Sequence, residues 1–223
     1  MPPPELLLID KPLRITSFDV IRRLRRIFNI KKMGHAGTLD PLATGLMIIG
    51  IGPGTKKLTG LVKLDKEYLA EVRIGESRTT GDLEGEVLEE KVVEGLTQEM
   101  VGAALATMIG TLTLPVSAYS AIKVDGVPMY KRARRAEQEG EIVTEVPMRA
   151  MKVDAAELLK FEIQADRAVA TVRFAVGSGT YIRSLAEELG RCLGYPATLQ
   201  ALRRTRVGEF DVKDAKTLEE LMK

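Results

Sequence analysis

Gly34-His35-Ala36-Gly37-Thr38-Leu39-Asp40-Pro41-Leu42-Ala43-Thr44-Gly45 runs directly into the apolar stretch Leu46-Met47-Ile48-Ile49. The first part is punctuated by glycine and holds the only histidine of the chain, His35. The second reads as a buried strand by run length and β-branching. Asp40 is therefore expected at the mouth of a strand, fixed by the proline behind it. A lone acid held rigidly at such a junction suits chemistry better than solubility. The bland alternative is an Asx-turn residue before Pro41.

Working outward, 223 residues suffice to bury a core without disulfides or metal, as one large domain or two small ones. The single cysteine, Cys192, excludes an internal disulfide and fits a reducing compartment. No apolar run approaches the ~20 residues of a membrane span. The N-terminus lacks the charged region of a signal peptide, so a cytoplasmic location is expected.

The net charge of +2 conceals a segregated distribution. Lys11, Arg14, Arg22, Arg23, Arg25, Arg26, Lys31 and Lys32 form one basic cluster. Lys123, Lys131, Arg132, Arg134 and Arg135 form a second, and Arg203, Arg204 and Arg206 a third. Acidic residues gather at 82–99 and near the C-terminus. Such segregation is the footprint of a polyanion binder; three solvated faces are the plain alternative.

The pattern predicts a strand over Glu5–Ile9, then a helix opened by a capping box of Thr16 and Asp19. Its apolar stripe is Val20, Ile21, Leu24, Ile27 and Phe28, with four arginines facing away. Tyr68–Ile74 reads as a strand, with Glu86–Glu89 pairing near it. Thr97 caps a helix with Met100, Val101, Ala104, Leu105 and Met108 on its apolar side. Leu159, Phe161, Ile163 and Ala165 alternate with polar residues, as in a half-exposed antiparallel strand, and Ala168–Val176 is its hairpin partner. Thr180 caps a helix carrying Ile182, Leu185, Ala186, Leu189 and Leu193, with Cys192 buried on the same face. Thr217 and Glu220 form a last capping box. Strands and helices without βαβ alternation predict an α+β fold with a mostly antiparallel sheet. Residues 118–151 are basic and irregular, and read as an extended insertion outside the core.

Rival chemistries fare poorly. Gly50-Ile51-Gly52-Pro53-Gly54-Thr55-Lys56 lacks the Gly-Lys-Ser/Thr ending of a phosphate-binding loop and is read as a turn. One histidine and one cysteine build no zinc site, and no Gly-x-Ser-x-Gly elbow is present. Arg183 falls in the first turn of its helix, where a cation costs roughly 0.3–1 kcal/mol against the helix dipole. That placement asks for a carboxylate, and Asp40 and Glu187 are both candidates. Tyr68 and Tyr181, among only ten aromatic residues, are either core plugs or platforms for a base.

Several ordered stretches resemble the TruB family of tRNA pseudouridine synthases. They are Asp10-Lys11-Pro12 with Thr16-Ser17, Gly34 to Gly45, and Asp65-Lys66-Glu67-Tyr68 leading to Gly75. Tyr119-Ser120-Ala121-Ile122-Lys123-Val124-Asp125-Gly126 with Tyr130, Ser178-Gly179-Thr180-Tyr181-Ile182-Arg183 and Leu202-Arg203-Arg204-Thr205-Arg206 follow. The resemblance covers residues 5–212. It implies the pseudouridine synthase fold, an α+β core on a bent, mostly antiparallel sheet flanked by helices, with a catalytic cleft. It implies a catalytic domain over 1–212, with residues 118–151 as an RNA-binding thumb. A short helical tail at 213–223 would stand where many family members continue into a PUA-type domain.

The implied reaction is isomerisation of uridine 55 in the T-loop of tRNA to pseudouridine, with the base flipped out. The tRNA T-arm is the implied partner, and no cofactor, metal or membrane is involved; a monomer is expected. Asp40 matches the catalytic aspartate, Tyr68 the tyrosine stacked on the base, and Arg183 the arginine paired with the carboxylate. His35, Tyr181, Leu202 and Lys11 match positions that contact or enclose the substrate. Ala36 departs from the family's usual Thr or Ser, and Pro115-Val116-Ser117-Ala118 from a common Pro-Pro pair. The alternative of another class is an RNA-binding protein that remodels tRNA with catalysis secondary. A guide-dependent enzyme in an RNA–protein complex is a further one.

Overall fold

A computed structural model describes residues 3–141, 143 and 145–222. In chain order the elements are β1 (Leu6–Lys11), α1 (Ser17–Phe28), β2 (Met33–His35), β3 (Ala43–Ile51), α2 (Leu58–Leu61), β4 (Lys66–Ile74), β5 (Glu76–Arg78), β6 (Val87–Glu90) and α3 (Gln98–Thr107). They continue with β7 (Gly110–Pro115), β8 (Lys123–Val124), β9 (Val127–Pro128), α4 (Met129–Gln138), β10 (Met148–Gln164), β11 (Arg167–Val176), α5 (Ile182–Leu193), β12 (Ala197–Val207) and β13 (Phe210–Asp211). The α+β expectation is met. The chain divides into two compact units. One comprises Met1–Leu69, Arg173–Gly179 and Ala201–Lys223; the other comprises Ala70–Val172 and Thr180–Gln200.

The first unit is built on β3, whose residues are almost all buried. β1 pairs antiparallel to it from Leu6↔Gly50 to Lys11↔Gly45. β2 pairs antiparallel at its far end, with His35 opposite Ile49. β12 runs parallel to its start, with Leu202 opposite Ala43 and Arg204 opposite Gly45. Ala36, Leu46, Ile48 and Val207 form a core cluster, packed by Leu6, Leu8, Leu58, Leu61, Leu64 and Phe210.

Helix α1 begins as its sequence requires. Thr16 is extended and accepts from the Asp19 amide, while Asp19 reaches back to the Thr16 amide at 2.8 Å. Asn29 ends the helix in the left-handed conformation. Val20, Ile21 and Leu24 are buried. Gly50–Lys56, read as a turn, forms most of a 3-10 helix over Gly52–Lys57. The segment after β13 lies along β1, with Lys216 exchanging backbone bonds with Leu8 and Asp10. Leu218 is fully buried there. The Thr217–Glu220 box forms, but on a single 3-10 turn over Glu220–Met222.

In the second unit β7 and β10 pair antiparallel from Met148↔Pro115 to Val153↔Gly110. Helix α3 packs on α5 and on β10. Thr97 caps α3 as expected, but Met100 is 48% exposed rather than part of its apolar face. β6 pairs with β5 and not with the Tyr68–Ile74 strand. Leu159 and Ile163 are also exposed, contrary to the alternation. Their strand, β10, runs on well past the last residue that β7 pairs, so this part of it is open along one edge.

Tyr181, not Thr180, is the N-cap of α5, and it makes no side-chain cap. The Thr180 hydroxyl donates instead to the Lys152 carbonyl at 3.3 Å. Cys192 is exposed. The buried face of α5 is set by Ile182, Leu185, Ala186 and Leu189, and Cys192 lies at its edge. Residues 118–151 are more regular than expected. Asp125 and Gly126 both take positive φ in the two-residue β8–β9 hairpin, and Met129 and Ala133 anchor α4 in buried positions. The last residues of this stretch already belong to β10.

Gly45 shows how tightly the first unit is assembled. It takes φ +101°, and a Cβ there would lie 2.3 Å from the Arg204 carbonyl oxygen. Gly45→Ala is expected to destabilise by about 3 kcal/mol or more, because both backbone strain and a rigid backbone clash oppose it. Gly60, with open space around it, is the control: Gly60→Ala should leave the denaturant midpoint at or above wild type. Equal midpoints for Gly45→Ala and wild type would contradict the packing described.

Candidate active site

Asp40 sits half-buried between β2 and β3, in a loop held through several of its backbone groups. Ser17, the buried first residue of α1, donates its hydroxyl to the Leu39 carbonyl at 2.9 Å and accepts from the Leu39 amide at 2.8 Å. The Ala43 amide donates to the Asp40 carbonyl at 3.0 Å, closing a turn with Pro41 at its second position. The Arg14 amide donates to the Pro41 carbonyl at 2.9 Å. Two buried cations complete the support. Lys11, fully buried, directs its ammonium to the carbonyls of Pro12 (2.9 Å), Ile15 (2.7 Å) and Pro41 (3.5 Å). Arg204, 1% exposed, donates to the carbonyls of Leu46 (2.7 Å), Gly37 (3.2 Å) and Thr38 (3.4 Å).

These two side chains change the meaning of the charge pattern. Lys11, offered by the resemblance as a substrate contact, has its head group inside the protein on backbone oxygens. Arg204, counted in a basic cluster, makes no ion pair among the described residues and holds the loop from within. Arg203 is taken up by Asp10 in a bidentate pair at 2.6 and 3.0 Å. Of that third cluster, only Arg206 is exposed. In the second cluster Lys123, Lys131, Arg134 and Arg135 remain exposed.

The other expected residues of this unit fall on the same framework. Leu202 is half-buried on β12, in register with Ala43, three residues after Asp40. Tyr68 is 7% exposed on β4. The preceding residue, Glu67, accepts from Arg173 at 3.0 Å and Thr205 at 2.8 Å. His35 is half-buried on β2, and burial followed by the Arg204 charge hold its pKa below the usual 6.5. The same two causes bring Lys66 down to about 8, with Asp65 pulling the other way. Lys66 directs its ammonium to the Val62 carbonyl at 2.9 Å and the Leu64 carbonyl at 2.5 Å.

In the second unit Tyr181 is half-buried at the start of α5. Arg183, 6% exposed, lies in the first turn of that helix. Its guanidinium donates to the Thr80 carbonyl (2.9 Å), the Ser117 hydroxyl (3.1 Å) and the Tyr119 carbonyl (3.2 Å). Within this unit it faces Asp82, at 3.6 Å and 2% exposed, and its charge also acts on Glu187, whose pKa burial and the Asp82 charge push up and Arg183 pulls down. The sequence reading missed Asp82. In Gly81-Asp82-Leu83-Glu84-Gly85 an aspartate reads as a turn former, and its Oδ1 does accept from Thr80 Oγ1 (2.6 Å) and the Glu84 amide (3.1 Å). A buried cation in a helix first turn was the available signal. Among the described residues no group of three His, Cys, Asp or Glu side chains is placed to hold a metal ion.

The electrostatic coupling is testable because the chain has one histidine. In wild type the His35 imidazole resonance should titrate below 6.5, and in Arg204→Met, with circular dichroism showing the fold retained after loss of the Arg204 carbonyl bonds, its pKa should rise. The depressed folded pKa means that the unfolded chain binds the proton more tightly. Stability should therefore be intact above about pH 6.5 and fall as pH drops from there through the folded value. An unchanged His35 titration in the variant would contradict the placement of Arg204.

Comparison with known proteins follows this geometry. Residues 25–182 match the N-terminal domain of the TruB family pseudouridylate synthases, and residues 183–223 match the tRNA pseudouridylate synthase B C-terminal domain. The chain is 45% identical over 216 residues to tRNA pseudouridine synthase B of Leifsonia xyli subsp. xyli, covering 96% of this chain and 70% of that protein. Identity to the protein of the same name from Corynebacterium glutamicum is 41% over 220 residues, covering 99% and 72%. Among solved structures, a Cbf5-Nop10-Gar1 complex matches with TM-score 0.69 and 25% identity, covering 96% of this chain and 52% of that one. An H/ACA RNP bound to a substrate RNA containing 2'-deoxyuridine matches with TM-score 0.67 and 25% identity, covering 96% and 51%. The chain thus spans about half the length of those structural relatives. A loop aspartate fixed by Ser17, Lys11 and Arg204, on a fold shared with these proteins and at this level of identity, leads to one conclusion: the chain belongs to the TruB family of pseudouridylate synthases.

Proposed function

We propose that this chain converts uridine 55 in the T-loop of tRNA to pseudouridine, acting without a guide RNA, as a monomer in the cytoplasm. The observation that carries the reading is the fixed presentation of Asp40. Its loop is braced through backbone groups at Gly37, Thr38, Leu39, Pro41 and Leu46, so the carboxylate is positioned before substrate arrives. The reaction is an isomerisation. The C1′–N1 bond breaks, C1′–C5 forms, C5 loses a proton and N1 gains one. Substrate and product contain the same atoms, so the reaction requires no co-reactant.

In this reading Asp40 promotes glycosidic cleavage and stabilises or captures the sugar. Tyr68 stacks on the base and takes part in proton transfer. Arg183 pairs with the Asp40 carboxylate, and His35, Tyr181 and Leu202 enclose the nucleotide. A base in a folded loop must leave its stack before its glycosidic bond can be reached. The detached uracil must then turn without escaping, which asks for an apolar, aromatic enclosure. Lys11 acts in this scheme by holding Pro41. The alternative, an RNA-folding protein with secondary catalysis, predicts tRNA remodelling that is independent of Asp40.

Incubation with unmodified tRNA and mapping of pseudouridine at single-nucleotide resolution tests the proposal directly. Asp40→Asn should reduce product below detection while tRNA affinity stays within a few-fold, since phosphate contacts dominate affinity. Turnover by that variant at the wild-type rate would remove Asp40 from the mechanism. Arg183→Lys is preferable to Arg183→Ala, because Arg183 is buried on three oxygen acceptors and Asp82. Deleting the charge would leave those groups unpaired and destabilise the fold. The lysine variant should lose about a hundredfold or more in single-turnover rate, in line with the loss of one preorganised donor. A rate near wild type with the fold intact would refute the role of Arg183.

A further inference from the structure

The exposed side of α1 is not used by the chemistry above, yet it is strongly basic. Between Lys11 and Leu39 the chain has eight lysines and arginines and one acid, Asp19. Arg14, Arg22, Arg23, Arg26, Lys31 and Lys32 are all exposed. Arg22, Arg23 and Arg26 line a shallow cleft with Asp19. Asp19 is already engaged by the Thr16 cap and by Arg22. Arg23 and Arg26 have no ion pair among the described residues.

Phe18, on the same helix, is 56% exposed, which is unusual for so large an apolar side chain in a helix with a buried stripe available. The guanidinium carbons of Arg25 and Arg22 stand 5.7 and 5.9 Å from its ring centroid. An aromatic face beside a guanidinium restricts an otherwise mobile side chain. Arg25 turns inward to the Met33 carbonyl at 3.4 Å and Arg22 pairs with Asp19, which leaves Arg23 and Arg26 as the outward cations of this face. Arg22, Arg23 and Arg26 lie within about one turn of the helix, roughly 6 Å along its axis, so they can engage neighbouring phosphates of one strand together.

We infer that this face of α1, Phe18 with Arg22, Arg23 and Arg26, is a docking surface for the phosphate backbone of the RNA substrate, away from the nucleotide that reacts. The inference rests on the function proposed above and extends it to a second contact region. The surface recognises charge and spacing, not sequence. It contributes affinity and salt dependence, as phosphate contacts do in general.

The test is binding of an unmodified tRNA transcript across a range of salt concentrations. The triple variant Arg22→Gln, Arg23→Gln, Arg26→Gln is compared with wild type and with a charge-matched control, Lys56→Gln, Lys63→Gln, Lys160→Gln. All three control lysines are exposed and lie outside α1. For the α1 variant the slope of log affinity against log salt should shrink by about 2 to 3, and Kd at physiological salt should rise tenfold or more. The control should keep a slope within about 1 of wild type. Phe18→Ala, which removes no charge, should weaken binding several-fold without changing the slope. Far-UV circular dichroism and thermal melting confirm that the variants are folded. Equal slopes for the α1 variant and wild type, or equal losses in the α1 variant and the control, overturn the inference. Pseudouridine mapping on the wild-type chain is read separately. Failure there refutes the proposed function, whereas a slope change refers only to the surface.

Discussion

A glycine-rich loop that enters a protein core brings carbonyl and amide groups with it, and each must find a partner. In this chain the partners are largely cationic. Arg204 and Lys11 bind five different backbone carbonyls around the Asp40 loop, apart from the bond of Lys11 to its neighbour Pro12. Ser17 saturates both backbone groups of Leu39. The loop can be glycine-rich and still rigid because its order comes from these long side chains and not from local backbone preference. The cost is electrostatic. A buried guanidinium on neutral carbonyls leaves its positive field in place, and after burial, the larger cause, that field lowers the proton affinity of His35 and Lys66 further. The register of β12 on β3 makes this possible, since it sets Arg204 opposite Gly45, a residue with no side chain to interfere.

Much of this architecture could be read from the sequence wherever a signal was local. The Thr16–Asp19 box, the Val20-Ile21-Leu24 stripe, the strand after Gly45 and the hairpin of β10 with β11 depend on neighbours within a few residues, and they stand where expected. The failures share a cause of the opposite kind. Alternation made Leu159 and Ile163 look half-buried, but burial depends on whether another layer packs over that face, which alternation cannot show, and both are exposed. Thr180 had the right chemistry for a cap one residue too soon. Met100 had the right spacing for α3 but no neighbour to cover it.

The candidate site was legible unevenly, for the same reason. Asp40 could be singled out because glycine, proline and an apolar run frame it in one stretch. Arg204 could not be separated from Arg203 and Arg206 by sequence, since three arginines within four residues look alike. In the fold one is buried on carbonyls, one is paired with Asp10 and one is exposed. Asp82 was hidden by its own versatility. One of its oxygens performs the turn role that the sequence suggests, and the other lies 3.6 Å from Arg183.

The exposure of Cys192 gives the molecule an experimental property that its sequence reading did not promise. A chain with a single cysteine, and that one accessible on α5, carries its own attachment point for a maleimide dye or spin label. No cysteine-free background has to be prepared first. The label would sit on the helix that bears Arg183, about two and a half turns from it along the axis. It would report on that helix during RNA binding while leaving every residue of the Asp40 loop unaltered. The same accessibility leaves the thiol open to oxidation, so a reducing agent belongs in any measurement of the oligomeric state.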